Sequence, residues 1–312
     1  MLGKGCCLPV AQHSRKGVVV THVGTAALPW IFTATGYGFD EAVLLRALRA
    51  ITAAGFDGLA VEIPSGMAPS TYRGLLQDHN LSPAPGYFSM TADGSMTTEA
   101  VVDLARQHAE LHLELGLGVS FLAANMSPAR IQRPAQGASH NASTFDGILR
   151  LTEAVAGAMS SVGVTPAIHQ HVGSWIETGE ELEAVLEKVP SDLLAFGPDT
   201  GHLYWAGIDP QSVVRRHRDR VVAIHLKDVH AAVVEAAAKE DLDYVTATLT
   251  HNLWTEPDRG DAGISGVIDE LKAVNFDGWY IVEVDRPDFA DAEESVAYSG
   301  TWARDVLRAS VN

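Results

Sequence analysis

Short apolar runs alternate with longer amphipathic stretches along this chain, from Val18 almost to its end. In the short runs, the residues that would point to either face of a strand are apolar, as expected of strands that are buried on both faces of a sheet. The pattern predicts eight strands, at Val18–Val23, Gly58–Ile63, Ala84–Ser89, Gly118–Ala123, Thr165–His169, Leu194–Pro198, Val221–Leu226 and Trp279–Val284.

The longer stretches between these strands have the periodicity of amphipathic helices. Clear examples are residues 40–55, 97–116 and 145–163, and each ends at or near a glycine, as helices often do. Strands that alternate with helices in this way predict repeated βα units and a parallel sheet.

Eight such units over about 270 residues match the size of a single (β/α)₈ barrel, or TIM barrel, whose active sites lie at the carboxyl ends of the strands. The competing architecture is an open, doubly wound sheet. No glycine-rich dinucleotide motif follows the first strand, and polar residues end many strands, so the barrel is favoured. We expect residues 1–16 to be a disordered extension, residues 17–312 to form the barrel domain, and residues 229–266 to be an insertion near its mouth.

Composition narrows the choice of partners and compartment. The 312 residues include 22 Lys and Arg against 39 Asp and Glu, and the formal charge of −17 argues against a nucleic-acid partner. Cys6 and Cys7 are adjacent, which supports neither a disulfide framework nor a cysteine-ligated zinc site. Without a signal sequence or a membrane-length apolar segment, the chain is expected to be soluble and cytoplasmic.

Four late strands end in acidic or basic side chains, and the residues come in pairs. These pairs are His169 with His171, Asp199 with His202, His225 with Lys227, and Glu283 with Asp285. Buried charges without partners are strongly unfavourable, and one shared divalent cation would compensate them. We therefore predict a metal site at His169, Asp199, His225 and Glu283, although a single strand-end histidine is more often structural and Glu283 could simply pair with Arg286 or Lys227.

The donor set and a few other strand ends refine this prediction. Two imidazoles and two carboxylates suit Mn²⁺ or Co²⁺ first, with Zn²⁺, Fe²⁺ and Mg²⁺ as alternatives, and suit Ca²⁺ poorly. Glu62 repeats the pattern of an apolar run followed by an acid, which favours a functional role. His22, at the end of the first predicted strand, is a candidate substrate contact. Trp30 and Trp205 follow strand ends and could either wall a sugar-sized pocket or pack in the core.

Around these residues the sequence resembles the xylose isomerase-like barrel superfamily of sugar isomerases and epimerases, and most closely inosose dehydratase. The segments that carry the likeness are IHQHVGSWIETGEEL, PDTGHLYWAGIDP, IHLKDV and FDGWYIVEVDR, which lie between about residues 164 and 285. The first half departs from the inosose dehydratase pattern at TAALPWIFTATGYGFD and at AANM around Asn125. We expect those two segments to shape the substrate pocket.

The resemblance implies roles for individual residues. Asp199, His225 and Glu283 match the superfamily's metal ligands by motif, whereas the fourth ligand is either His169 or His171, with His169 favoured. His202 and Lys227 match positions that touch substrate in relatives. The expected substrate contacts are His22, Trp30, Asn125, Trp205 and Asp285.

A divalent ion held by such a site acidifies the carbon next to a substrate ketone and so favours an enediolate. Candidates for the base are Glu62, His171 and His202, and Lys227 could neutralise the developing charge or donate a proton. The sequence thus predicts a metal-dependent lyase that removes water from a keto-inositol or keto-sugar. The alternatives are an isomerase or epimerase of similar small molecules, or a lyase that removes the substituent of a 3-keto-glycoside.

Two other classes fit the sequence less well. An endonuclease of the same superfamily would need more histidine ligands and a basic surface, and a sugar-binding barrel without activity would need no metal. Association into a homo-oligomer is compatible with the sequence.

Overall fold

The computed structural model of the protein describes residues 22–33 and 36–308. Its barrel strands are numbered here in chain order, and the third consists of two parts separated by Pro85 and Gly86. The strands are β1 His22–Thr25, β2 Gly58–Ala60, β3 Ser82–Ala84 with Tyr87–Met90, β4 Val119–Ala124, β5 Thr165–Ile168, β6 Ala195–Phe196, β7 Ala223–Leu226 and β8 Trp279–Val282.

All neighbouring barrel strands are parallel and their pairing forms a complete ring. β1 pairs with β8 on one side and β2 on the other, β7 pairs with β8, and β2 pairs with the first part of β3. The second part of β3 continues the ring through β4, β5 and β6. Bridges from Phe196 to Val221 and from Asp199 to His225 then connect β6 with β7. Eight barrel strands are thus present among the described residues, and the predicted α/β barrel class is confirmed.

Helices surround this ring and connect its strands. The α-helices are Leu28–Ile31, Glu41–Ala54, Pro69–Asp78, Thr98–Glu114, Pro128–Gln132, Ala142–Val162, Gly179–Lys188, Thr200–Trp205, Pro210–His217, Ala231–Lys239, Ile264–Lys272 and Ala292–Ala303, with a 3₁₀ turn at Arg218–Arg220 and π-helical turns at Thr246–Thr250 and Arg304–Arg308.

Side-chain caps explain where several helices begin. The Asp40 carboxylate accepts the Val43 amide at 2.9 Å, and Thr178 with Glu181 forms a reciprocal capping box. Gly55 ends its helix with a φ of +83°, a left-handed conformation that glycine adopts without a steric penalty.

The core lies mainly between the helices and the outer face of the barrel. A smaller apolar cluster, made of Ala84, Phe121, Ala223 and Ile281, fills the inside of the ring. The barrel interior is therefore packed, and a cluster of polar groups lies above it, at the carboxyl ends of the strands.

Two details differ from the sequence-based prediction. The predicted strand Ala84–Ser89 is interrupted, because Pro85 has no amide hydrogen for the ladder and the Gly86 amide instead donates to His112 Nε2 at 3.1 Å. The predicted first strand lies mostly outside the described residues. His22 is the first residue of β1, so it belongs to the opposite end of the barrel from the site, where its ring stacks on Trp279.

The long segment after β7 folds over the barrel mouth. Two short strands, Asp228–Val229 and Trp254–Thr255, pair in a small antiparallel sheet. The chain between them includes Tyr244 and Val245, which line the cavity described below. The predicted extension, residues 1–16, lies outside the described residues. Within 22–33 and 36–308, every helix is too short or too polar to cross a membrane.

Candidate active site

A cluster of acidic and imidazole side chains lies at the carboxyl ends of β5 to β8. Ligand atoms of Asp199, His225 and Glu283 lie within 4.8 Å of one another, and so do those of His169, Asp199 and His202. Asp199 belongs to both groups, and the rings of His169 and His225 are 4.9 Å apart. The four residues predicted as ligands therefore converge on one region.

Several ligand atoms in this cluster are buried without a hydrogen bond. They are Asp199 Oδ2, His169 Nδ1 and both ring nitrogens of His225. His225 Nδ1 does approach Glu283 Oε2 at 3.1 Å and Asp199 Oδ2 at 3.7 Å. Buried polar atoms normally have hydrogen-bond partners, so this concentration of unbonded nitrogen and oxygen atoms fits a divalent metal ion.

The charge balance of the cluster also fits a divalent metal ion. Lys227, which is 1% exposed, places its Nζ 2.7 Å from Glu283, 2.8 Å from Asp285 and 3.7 Å from Asp199. Three carboxylates and one ammonium leave two negative charges in a buried cluster. A divalent cation would neutralise them.

The protonation states also suit metal binding. Burial lowers the pKa values of His169 and His202 well below their usual range, so both rings are neutral, as metal ligation requires. Burial alone would raise the pKa of Asp199, but the charge of Lys227 holds it well below its usual value. Asp285 differs, because burial raises its pKa to about 6.

Lys227 stays charged in this setting. Burial alone would lower its pKa, but Asp285, Glu283 and Asp199 outweigh that effect and raise it well above the usual value. Its Nζ also lies 4.6 Å from the centre of the Trp254 ring. The position of the side chain is thus set by three carboxylates and one aromatic face.

Local sequence explains how Lys227 reaches this place. The Thr200 hydroxyl donates to the Lys227 carbonyl at 2.6 Å and accepts its amide at 2.9 Å, which links the ends of β6 and β7. Gly201 follows, and a Cβ there would lie 2.8 Å from Lys227 Cγ and 3.0 Å from Trp254. Only glycine leaves room for the lysine stem at this point.

A cavity of about 610 Å³ opens above the cluster. His169, His171, His225, Lys227, Glu283 and Asp285 form its polar floor, and Glu62 lies on another part of its wall. Glu62 follows β2, which is opposite β6 in the eight-stranded ring. The structure therefore brings six of the eight predicted catalytic and metal-binding residues to one cavity, with Glu62 across it from the end of β6. The other two, Asp199 and His202, are fully buried and do not line it.

Glu62 has the properties of a general base. Burial raises the pKa of its carboxyl group, which makes the ionised form a stronger proton acceptor. The Tyr37 hydroxyl donates a hydrogen bond to Glu62 Oε1 and holds the carboxylate in the cavity.

His171 and His202 lie at different depths. His171 lines the cavity, and its Nδ1 donates to the Val172 carbonyl at 2.7 Å, which leaves Nε2 as a free acceptor in the neutral ring. Burial and the nearby Lys227 charge lower the pKa of His171 to about 4. His202 is fully buried behind the floor, accepts the Val172 amide at 3.3 Å, and lies 3.5 Å from Lys227 Nζ.

Four of the five predicted substrate contacts do not line the cavity. His22 is at the opposite end of the barrel. Trp30 is buried and its Nε1 donates to Glu293 at 3.1 Å, and Trp205 is buried against Tyr244. The Asn125 side chain is engaged in a structural hydrogen bond, since its Oδ1 accepts the Ala92 amide at 2.8 Å. Asp285 alone of this set lies in the cavity.

Other cavity residues were missed by the sequence reasoning. Tyr87 begins the second part of β3 and packs edge-on against His169, with ring centres 5.3 Å apart. Tyr244 comes from the insertion and stacks on Trp205 at 5.0 Å. The position of Tyr87 on a predicted strand could have indicated it, whereas no local pattern distinguishes Tyr244 or Tyr37 from other surface tyrosines.

Two inosose dehydratases are similar to this chain in sequence. Inosose dehydratase of Geobacillus kaustophilus (strain HTA426) is 32% identical over 162 residues, which are 52% of this chain and 49% of that protein. Inosose dehydratase of Lacticaseibacillus casei (strain BL23) is 25% identical over 281 residues, covering 86% of this chain and 90% of the relative. The stronger of these two similarities thus spans about half the length of the curated relative.

Solved structures share the fold at low identity. IOLI protein, solved with a binding zinc atom, superposes with a TM-score of 0.67 at 14% identity and covers 92% of this chain and 98% of that chain. D-allulose 3-epimerase from Methylomonas sp., in complex with D-allulose, gives 0.65 at 15% identity, with 92% and 97% covered. The model of the xylose isomerase-like TIM barrel matches residues 48–306, so this chain belongs to the xylose isomerase-like TIM barrel family.

Proposed function

We propose that this protein is a divalent-metal-dependent carbon–oxygen lyase that eliminates water from a keto-inositol or keto-sugar. The observation that carries the proposal is the buried cluster at the ends of β5 to β8. It has several unbonded ligand atoms and two uncompensated negative charges, and it forms the floor of a cavity large enough for a sugar ring. The similarity to inosose dehydratases supports the substrate class.

In this proposal His169, Asp199, His225 and Glu283 hold the metal ion. His169 is preferred to His171, because its ligand atom lies within 4.8 Å of that of Asp199 whereas His171 belongs to neither ligand group. When bound, the ion withdraws electrons from a substrate carbonyl and so acidifies the neighbouring carbon.

The remaining residues transfer protons or position the groups that do so. Glu62, with its raised pKa and its hydrogen bond from Tyr37, takes the proton from the carbon next to the ketone. Lys227 keeps a positive charge at the floor, which stabilises the developing oxyanion and provides a proton for the departing hydroxide. His171 accepts hydrogen bonds from substrate hydroxyl groups, and His202 acts as a positioning residue behind Lys227.

Epimerisation is the second candidate, and one observation favours it. An epimerase needs groups that exchange protons on both faces of the substrate. Glu62 follows β2, whereas His171 follows β5 and Lys227 follows β7, so proton-transferring groups approach the cavity from different sides of the ring. The same cavity would therefore support return of the proton to the opposite face.

The test is a comparison of Glu62→Gln with the wild type after loading both with Mn²⁺ or Co²⁺. We expect Glu62→Gln to keep its metal content but to lose turnover of a keto-inositol by about 10²- to 10⁴-fold, because it lacks the base. The matched control is Glu99→Gln, an exposed position on an outer helix, which should retain full activity. Full activity in Glu62→Gln would refute its role as the base.

A further inference from the structure

The cavity is larger than a sugar ring requires. Even at the ~30 Å³ that a liquid water molecule occupies, the twelve heavy atoms of a keto-inositol would fill about 360 Å³. The cavity has about 610 Å³, so about 250 Å³ is left after the ring is placed on the floor. This remaining space has to be filled by water or by another part of the substrate.

The walls around that space are apolar. Leu28 and Phe32 follow β1, Met126 and Ile131 follow β4, and Val245 belongs to the insertion after β7; all line the cavity. The aromatic rings of Tyr87 and Tyr244 complete the lining. A polyol surrounded by hydroxyl groups would leave these surfaces without complementary contacts, whereas an apolar group would cover them.

Exposed apolar side chains are concentrated here. Eight large apolar side chains in the described part of the chain stay exposed, and four of them line this cavity. These four are Phe32 at 41%, Tyr37 at 61%, Tyr87 at 39% and Val245 at 51% exposure. Such a concentration marks a binding surface, and it is continuous with the polar floor.

Two of the segments that form this wall also depart from the inosose dehydratase pattern. TAALPWIFTATGYGFD contains Leu28, Phe32 and Tyr37, and AANM ends in Met126. The polar floor, by contrast, comes from the segments that keep the pattern. Part of the apolar wall thus comes from segments outside those that carry the resemblance, whereas the polar floor lies within them.

We propose that the substrate is an oxygen-rich keto-sugar ring bearing an aryl group, with the ring on the polar floor and the aryl group against the wall formed by Phe32, Tyr87 and Val245. This proposal rests on the elimination chemistry of the proposed function, and it replaces water by an aryl alcohol as the leaving group. For an aryl 3-keto-glycoside the elimination is balanced without any oxidant or reductant. The C–H bond next to the ketone breaks and its proton goes to Glu62, a carbon–carbon double bond forms, and the bond from the anomeric carbon to the aryl oxygen breaks. The aryl oxide then takes a proton from Lys227 or water.

The test measures binding of phenyl and methyl β-D-glucosides to the metal-loaded protein by titration calorimetry. Neither glucoside carries a ketone, so neither reacts. We expect the phenyl glucoside to bind about tenfold more tightly, from roughly 60 Å² of apolar surface removed from water. In Phe32→Ala and Val245→Asn the ratio of the two dissociation constants should fall to about threefold or less.

Matched controls are available at exposed apolar positions away from the cavity. Leu104 and Leu249 are 42% and 41% exposed but do not line the cavity, so Leu104→Ala and Leu249→Asn should keep the tenfold ratio. Equal affinity for the two glucosides, or no detectable binding of the phenyl glucoside, would overturn the aryl subsite. Failure of the elimination itself is a different result, in which the phenyl preference persists but keto-sugars remain intact.

Discussion

Replacement of Lys227 by methionine separates the charge balance of the site from its packing. Methionine is similar in length and fills the space beside Trp254, but it removes the one positive charge that faces Asp199, Glu283 and Asp285. The buried cluster then carries three negative charges instead of two. Removing one partner from a buried ion pair typically costs about 3–5 kcal/mol.

For a domain of this size that loss corresponds to a fall in Tm of about 5–8 °C in metal-free protein. Added Mn²⁺ should have the opposite effect, because the more negative site attracts the cation more strongly. We expect at least about tenfold tighter binding, or about 1.4 kcal/mol, and a larger rise in Tm on adding metal than in the wild type.

The assay is thermal unfolding of both proteins with chelator and with graded Mn²⁺, together with calorimetric titration of the metal. Lys188→Met is the control. Lys188 is 57% exposed and its Nζ is 3.8 Å from Asp146 Oδ1, so this long, solvated ion pair is weak and its loss should change stability by less than about 1 kcal/mol. If Lys227→Met left both the metal-free Tm and the metal affinity unchanged, the charge balance inferred for this cluster would be refuted.

Three further substitutions test other parts of the account. Glu283→Ala should abolish stoichiometric metal binding, measured by elemental analysis after dialysis, and unchanged metal content would refute its role as a ligand. Gly201→Ala should displace the Lys227 stem and lower turnover while the protein stays folded; normal activity would contradict the contact distances given above. Asp228→Ala removes the carboxylate that accepts the amides of Val229, Asp258, Gly260 and Ala262, so Tm should fall by about 2–5 °C and hydrogen exchange should rise at residues 258–262. Unchanged exchange there would show that Asp228 does not anchor the loop.

The fold was predictable because parallel strands buried on both faces leave a strong local signal. Runs such as Trp279–Val284 are nearly all apolar, and the chemistry starts where each run ends, at Glu283 or at His169. The convergence of His169, Asp199, His225 and Glu283 was predictable for the same reason, since the carboxyl ends of parallel strands meet at one end of a barrel.

The substrate contacts were less predictable, because they depend on how loops pack over long distances. Trp30 and Trp205 follow strands, but their large apolar rings are buried in the core and do not reach the cavity. Tyr244 reaches it only because the insertion folds back over the mouth and places its ring on Trp205. His22 was misplaced because β1 continues past the predicted end at Val23 to Thr25, so that His22 pairs with Trp279, the first residue of β8.

The ion pairs of Lys227 show a second limit of prediction from sequence. The sequence indicated that Lys227 and Glu283 lie near each other, but it could not show that the lysine contacts three carboxylates at once. Asp285 was predicted to touch substrate, and its ion pair with Lys227 at 2.8 Å became visible only in three dimensions.

The central claim is metal-dependent elimination from a carbon next to a ketone, and mass spectrometry tests it most directly. The protein is incubated with Mn²⁺ or Co²⁺ and separately with a chelator, in each case with keto-inositols, ketohexoses and 3-keto-glycosides. We predict a product lighter than one of these substrates by one water, or by one alcohol from a glycoside, formed only in the presence of metal. Products of unchanged mass, or equal turnover with the chelator, would contradict the account.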